Sequence, residues 1–217
     1  YGEREEWYNH SIESKATLAI FITKPREDAR PMNLDGSVIK NSGKEKLDEI
    51  KLYYKFEIEV LKNTYPVLTR DQLLAMATPI KTIKFFYDYS LCPNTPNSTA
   101  TGKLTLKEIH IMGGKNTTAY KYKFGYGPND NIHNPPYNAK NVDRWGNNKP
   151  ANDNSTYFGS APNLINDAFP YTIQHKDLKT NIGNNIGNNA NDRNSQAWLL
   201  KTVTLPSGGT IDVNYES

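Results

Sequence analysis

Three stretches set Asp and Asn close together: "PNDNIHN" (128–134), "ANDNST" (151–156) and "ANDRNS" (190–195). Carboxylate and amide oxygens at such spacing are what a hard cation such as calcium requires, so Asp130, Asp153 and Asp192 are the candidate metal ligands. None of the three matches the EF-hand loop or the glycine-rich calcium nonapeptide. Asp and Asn also make turns by bonding their own backbone, and that use outweighs a calcium site here. The four histidines, His10, His110, His133 and His175, share no metal-ligand spacing. Ser207 in "PSGG" lacks the preceding glycine of a nucleophile elbow. Cys92 has no flanking signature of a reactive thiol, and "GGKNTT" (113–118) is not followed by the helix that a phosphate loop needs. No catalytic residue is expected, and no cofactor other than calcium at these turns.

A binding site has one better candidate. "YNAKNVDRWGNNKP" (137–150) places an Asp-Arg pair beside Trp-Gly between Asn-rich loops. Trp145 with Tyr137 and Tyr157 makes a platform on which a sugar or other ligand can stack. The competing use of the same residues is loop anchoring by burial of Trp145, with Arg144 paired or stacked. Anchoring is the stronger expectation.

The elements that must position these residues are strands. The 217 residues are 36% hydrophobic, with a mean hydropathy of −0.73, so the core is lean and the loops are long. Tyrosine supplies much of the apolar area, 14 residues against 7 Phe and 3 Trp, and its wet hydroxyl suits half-buried strands. The net charge of +3 is spread along the chain rather than clustered, which argues against a nucleic-acid partner. No apolar run is long enough to span a membrane.

"ATLAIFITK" (16–24) reads as a first strand within an N-terminal extension, 1–44. Between 45 and 127 lies a β-rich core. There, Leu47–Val60 carries Ile50, Leu52, Tyr54, Phe56, Ile58 and Val60 at a period of two, which predicts one long strand. "TRDQLLAMA" (69–77) predicts one short helix capped by Thr69 and stopped before Pro79. Strands follow over 79–90, 103–112 and 119–127, and the phase break between Leu106 and Ile109 predicts a bulge. Residues 128–196 form an Asn-rich region with aromatic islands, expected to be an ordered loop laid over the strands, with the repeat around 181–194 its most mobile part. Residues 197–217 predict a hairpin about a two-glycine turn, with Leu200, Thr202 and Thr204 facing Ile211, Val213 and Tyr215. The fold expected is a single mainly β domain: an antiparallel β-sandwich or extended β-sheet with one short helix and long Asn-rich loops.

Several phrases taken together, "PIKTIKFFYDYSLCPNTPNS", "GKLTLKEIHI", "YKYKFGYG", "YNAKNVDRWGNNKP" and "WLLKTVTLPSGGTIDVNYES", resemble successive phrases of very large bacterial exported proteins related to Rhs/YD-repeat proteins. The resemblance spans roughly residues 45–217 and is clearest in the terminal strand, "LPSGG", strand unit. It implies a β-rich piece of a much longer chain, secreted or on the cell surface. Rhs-like proteins wind such strands into shells around a toxic domain, and many travel through secretion or injection systems. The partners implied are therefore the rest of a larger polypeptide or a secretion apparatus. The regular tandem repeat is missing, the Asn-rich region exceeds a repeat unit, and no functional residue carries over. The function expected is a non-catalytic scaffold or interaction module. The alternatives are a carbohydrate- or ligand-binding module and a toxin effector.

Overall fold

The computed structural model describes residues 5–33, 35–39, 43–114, 118–127, 134–139, 141, 146, 148 and 196–215. Among them the chain is mainly β. Eight strands, β1 (Ser11–Glu13), β2 (Thr17–Pro25), β3 (Glu45–Tyr54), β4 (Lys81–Leu91), β5 (Lys103–Gly113), β6 (Tyr120–Tyr126), β7 (Leu200–Thr204) and β8 (Thr210–Asp212), form one antiparallel sheet in chain order. Each strand pairs with its neighbours in sequence, so the sheet is an uninterrupted meander and the extended-sheet alternative is the one realised.

Two helices, α1 (Lys55–Thr64) and α2 (Arg70–Met76), fill the connection between β3 and β4. The second is the helix expected from sequence. Thr69 Oγ1 accepts from the Gln72 amide while the Gln72 side chain accepts from the Thr69 amide, closing a capping box. The first corrects the single strand expected over Leu47–Val60, and raises the helix number from one to two. Its alternation is real, but it bridges two periodicities. β3 ends at Tyr54, where the Lys55 amide makes a last bond to Ala16 O at 2.9 Å. Beyond it, residues two apart on a helix stand about 200° apart and residues four apart nearly eclipse. Ile58 therefore turns inward and is buried, while Phe56 and Val60 share the opposite, exposed stripe. Glu57 in the first turn and Lys62 in the last suit the helix dipole.

The helices cover one end of one sheet face. Ile58 and Leu73 pack with Ile20 and Tyr53, ringed by Leu18, Ile22, Leu68, Leu74 and Ala77. Diagonally away, a polar knot ties the loop after β2 to the loop before β5. Asp28 is 2% exposed and accepts from Arg26 Nε and Nη2 and from the Leu104 amide. Thr99 N donates to Glu27 O and Arg30 N to Asn97 O beside it.

Three further details bear on the sequence reading. The expected bulge is present: Phe86 pairs with Glu108 and Tyr87 with Leu106, leaving Lys107 as the extra residue. The N-terminal region contributes two strands rather than one, since β1 pairs with β2. The terminal hairpin forms, but in a different register. Leu205 N donates to Gly209 O and Gly208 N to Leu205 O, so the loop is Pro206–Gly208 with Gly208 at φ +87°. A three-residue loop with glycine in the left-handed position replaces the two-glycine turn. Val203 then pairs with Ile211 and Thr202 with Asp212, so Thr202 and Thr204 do not face Ile211 and Val213.

Candidate functional site

The register sorts side chains onto two faces, because residues directly paired across an antiparallel sheet point the same way and alternate along each strand. One face is polar beyond the helical cap. Along it run the rows Ile22, Glu49, Lys84, His110, Lys121 and Phe86, Glu108, Lys123, Thr204, Thr210. Glu49 sits between Lys84 at 3.0 Å and Lys51 at 3.5 Å. Glu108 lies 2.6 Å from His110 Nε2 and 3.8 Å from Lys123. The His110 contact holds the Glu108 carboxyl below its ordinary range. Both carboxylates suited to acid or base work here are thus committed to neighbouring cations, and His110 is also packed against the Phe86 ring at 4.2 Å. Among the described residues these contacts form a lattice of paired charges across the sheet surface.

The other face is apolar. Phe21, Ile50, Ile83, Ile111 and Tyr120 form one row across five strands. Phe85, Ile109 and Tyr122 form a second, and Phe124, Val203 and Ile211 a third. A fourth begins at Ile12 and continues through Ala19 and Leu52. Most of these side chains are half-buried, but Tyr120 is 67% exposed, and the third and fourth rows reach the edge strands in exposed isoleucines, Ile211 at 50% and Ile12 at 58%. Each stands on an edge strand of three residues.

The register also orients the backbone at these edges. Ser14 N bonds Thr17 O and Phe21 N bonds His10 O, which turns the backbone groups of Ile12 inward and those of Ser11 and Glu13 outward. At the other edge Val213 N bonds Lys201 O and Leu205 N bonds Gly209 O, leaving Thr210 and Asp212 turned outward. Both edge strands are only three residues long and each carries a carboxylate, Glu13 or Asp212, two of the usual guards of a sheet edge.

The residues singled out in the sequence fare differently. Tyr137 is 42% exposed, and its amide donates to Pro93 O at 2.6 Å. Trp145 and Tyr157 lie outside the described residues, as do Asp130, Asp153, Asp192, His133 and His175. So does most of the region expected to lie over the strands. Among the described residues no group of three His, Cys, Asp or Glu is placed to hold a metal. Cys92 is buried at φ +55° in the β4–β5 loop, and Ser207 sits in the exposed hairpin turn. One cleft of about 400 Å³ is lined by Glu6, Tyr8, Ala29, Arg30, Pro31, Gly43 and Lys44. Its polar groups are engaged with one another: Lys44 pairs with Glu6 at 3.1 Å, and Tyr8 donates to Glu6 while accepting from the Glu45 amide. No described helix is long and apolar enough to cross a membrane.

Sequence reading found the strands that carry these faces, β8 in the terminal hairpin included, but missed β1. β1 was hidden in the charged N-terminal run, although Ile12 between Ser11 and Glu13 is a short alternation that signals it. Comparison with protein-family models, with curated proteins and with solved structures found no match to this chain.

Proposed function

We propose that this chain is a non-catalytic β-structured scaffold module of a large exported Rhs-like protein, associated with toxin or injection-system cargo. The observation that carries the reading is the apolar face, which crosses the meander and reaches both edges with exposed isoleucines. A sheet with one polar and one apolar face suits a wall: the polar lattice meets water and the apolar side meets enclosed or neighbouring protein. The engagement of Glu49 with Lys84 and of Glu108 with Lys123 across strands, and of His110 with Glu108 along β5, supports the non-catalytic part. The Rhs assignment rests on the sequence phrases quoted above.

An antibody raised against residues 1–217 tests the reading in the cells that make the protein. The expected antigen is a polypeptide several times the 24.6 kDa of this chain, found outside the cytoplasm. A 24.6 kDa antigen retained in the cytoplasm, or growth arrest of susceptible cells expressing this chain alone, would overturn it.

A further inference from the structure

We infer that the cleft beside Tyr8 and Lys44 binds a small aromatic carboxylate, whose anionic group meets the Lys44 ammonium. The inference goes beyond the scaffold reading and does not rest on it. The cleft holds about 400 Å³, which lies within the range of small-molecule sites. Its walls come from separate segments, and each segment is pinned. Arg30 N donates to Asn97 O at 3.0 Å, Arg26 N to Lys44 O at 2.9 Å, and Glu45 N to the Tyr8 hydroxyl at 3.0 Å. Ala29, on the cleft wall, has φ +53°, in the left-handed region that a residue with a Cβ seldom takes. The buried Asp28 next to it, gripped by Arg26 and the Leu104 amide, holds it there. Backbone strain of this kind gathers at ligand sites, where the surroundings enforce it.

The lining selects the charge and shape of the ligand. Arg30 and Lys44 set two cations against the single carboxylate of Glu6, so the cleft favours an anion. Lys44 is the group that meets it. Its side chain is 35% exposed, and Glu6 Oε1 lies to one side of the ammonium at 3.1 Å. An ammonium has three donors, so a ligand carboxylate can share it with Glu6 in a charge-assisted bond. Tyr8, Ala29 and Pro31 supply apolar surface. The Tyr8 ring is held in place, because its hydroxyl donates to Glu6 and accepts from the Glu45 amide. A flat aromatic body packs on such a fixed ring with little ordering cost to the protein. A cationic ligand of the same shape would be repelled by Arg30 and Lys44, and an uncharged one would cover the ammonium without pairing it.

The probe is indole-3-acetate, and the control is indole-3-acetamide, its uncharged isostere. Backbone amide NMR spectra of the full chain are recorded as each is titrated to about 10 mM. The expected result is saturable shifts at Glu6, Tyr8, Ala29, Arg30 and Lys44, with a midpoint of about 1 mM for the acetate. The midpoint for the acetamide should be at least about fivefold higher. Lys44→Gln should bring the two midpoints together, and Lys44→Arg should keep them apart. Unchanged amide signals in β4, β5 and β6 confirm that both variants keep the sheet. Absence of saturable shifts at the cleft, or saturation confined to other residues, overturns the site. Equal midpoints in the unaltered chain, or a preference for the acetate that survives Lys44→Gln, overturns the carboxylate contact with Lys44.

Discussion

The Asp28 carboxylate accepts a hydrogen bond from the Leu104 amide at 2.8 Å, across 76 positions of sequence, while Arg26 clamps it at 2.8 and 2.9 Å. Burial pushes this carboxyl up, but the Arg26 and Leu104 bonds together outweigh burial and hold it below its ordinary value. A depressed folded pKa stabilises the fold above the unfolded Asp value of about 3.9, and the contribution is lost as pH falls through the folded pKa. Asp28→Asn should lower stability at pH 7 by about 3 kcal/mol, because Arg26 is left unpaired in a tight site. It should also flatten the acid limb of a stability profile below pH of about 4, measured by urea unfolding.

Tyr53 is fully buried between sheet and helices, and its hydroxyl has no hydrogen-bond partner among the described residues. Burial first, and the Glu49 charge second, push its pKa up to about 12. With the folded pKa raised, stability is intact below the unfolded value of about 10 and falls as pH rises from there towards 12. Tyr53→Phe removes an unsatisfied hydroxyl and keeps the ring, so we expect a neutral change or a gain of up to about 1–2 kcal/mol at pH 7. The alkaline loss should shrink in parallel, and a loss of stability at neutral pH would show that the hydroxyl has a partner.

Gly125 lets β6 and β7 approach. A Cβ there would lie 2.2 Å from Thr202 Oγ1 but 3.5 Å from Thr202 Cβ. Gly125→Ala should therefore cost about 1–3 kcal/mol, and Thr202→Ala should restore most of it, since the clash is with the hydroxyl alone. Urea unfolding of the single and double variants reads the coupling; additive losses would place the strain elsewhere.

The Thr69 capping box starts a helix that carries Leu73 into the small core. Thr69→Ala should cost about 1 kcal/mol and Leu73→Ala about 2–4 kcal/mol. Thermal unfolding monitored by circular dichroism ranks the two, and a larger loss for Thr69→Ala than for Leu73→Ala would contradict this ordering.

The sugar-platform alternative predicts glycan binding that Trp145→Ala removes. The scaffold reading expects no binding on a glycan array by either protein.

Legibility in the sequence followed how local each signal was. β4, β5 with its bulge, β6 and α2 were readable because alternation, a phase break at Lys107 and a Thr-x-x-Gln cap are local patterns. The error at α1 arose because Phe56, Ile58 and Val60 repeat every two residues, which a strand needs and a helix can accommodate by exposing two of the three. Only contact of Ile58 with Tyr53 and Leu73 distinguishes them, and that is tertiary. The hairpin register turned on which glycine takes the left-handed position, and "PSGG" offers two. That β1 and β8 stand at the ends of the strand order was not legible at all, since that place depends on how the other strands pair.

The size and location of the native polypeptide test the scaffold account most directly, read with an antibody against residues 1–217 in the cells that make it. The account predicts a polypeptide several times 24.6 kDa, found outside the cytoplasm. A 24.6 kDa polypeptide retained in the cytoplasm would contradict it.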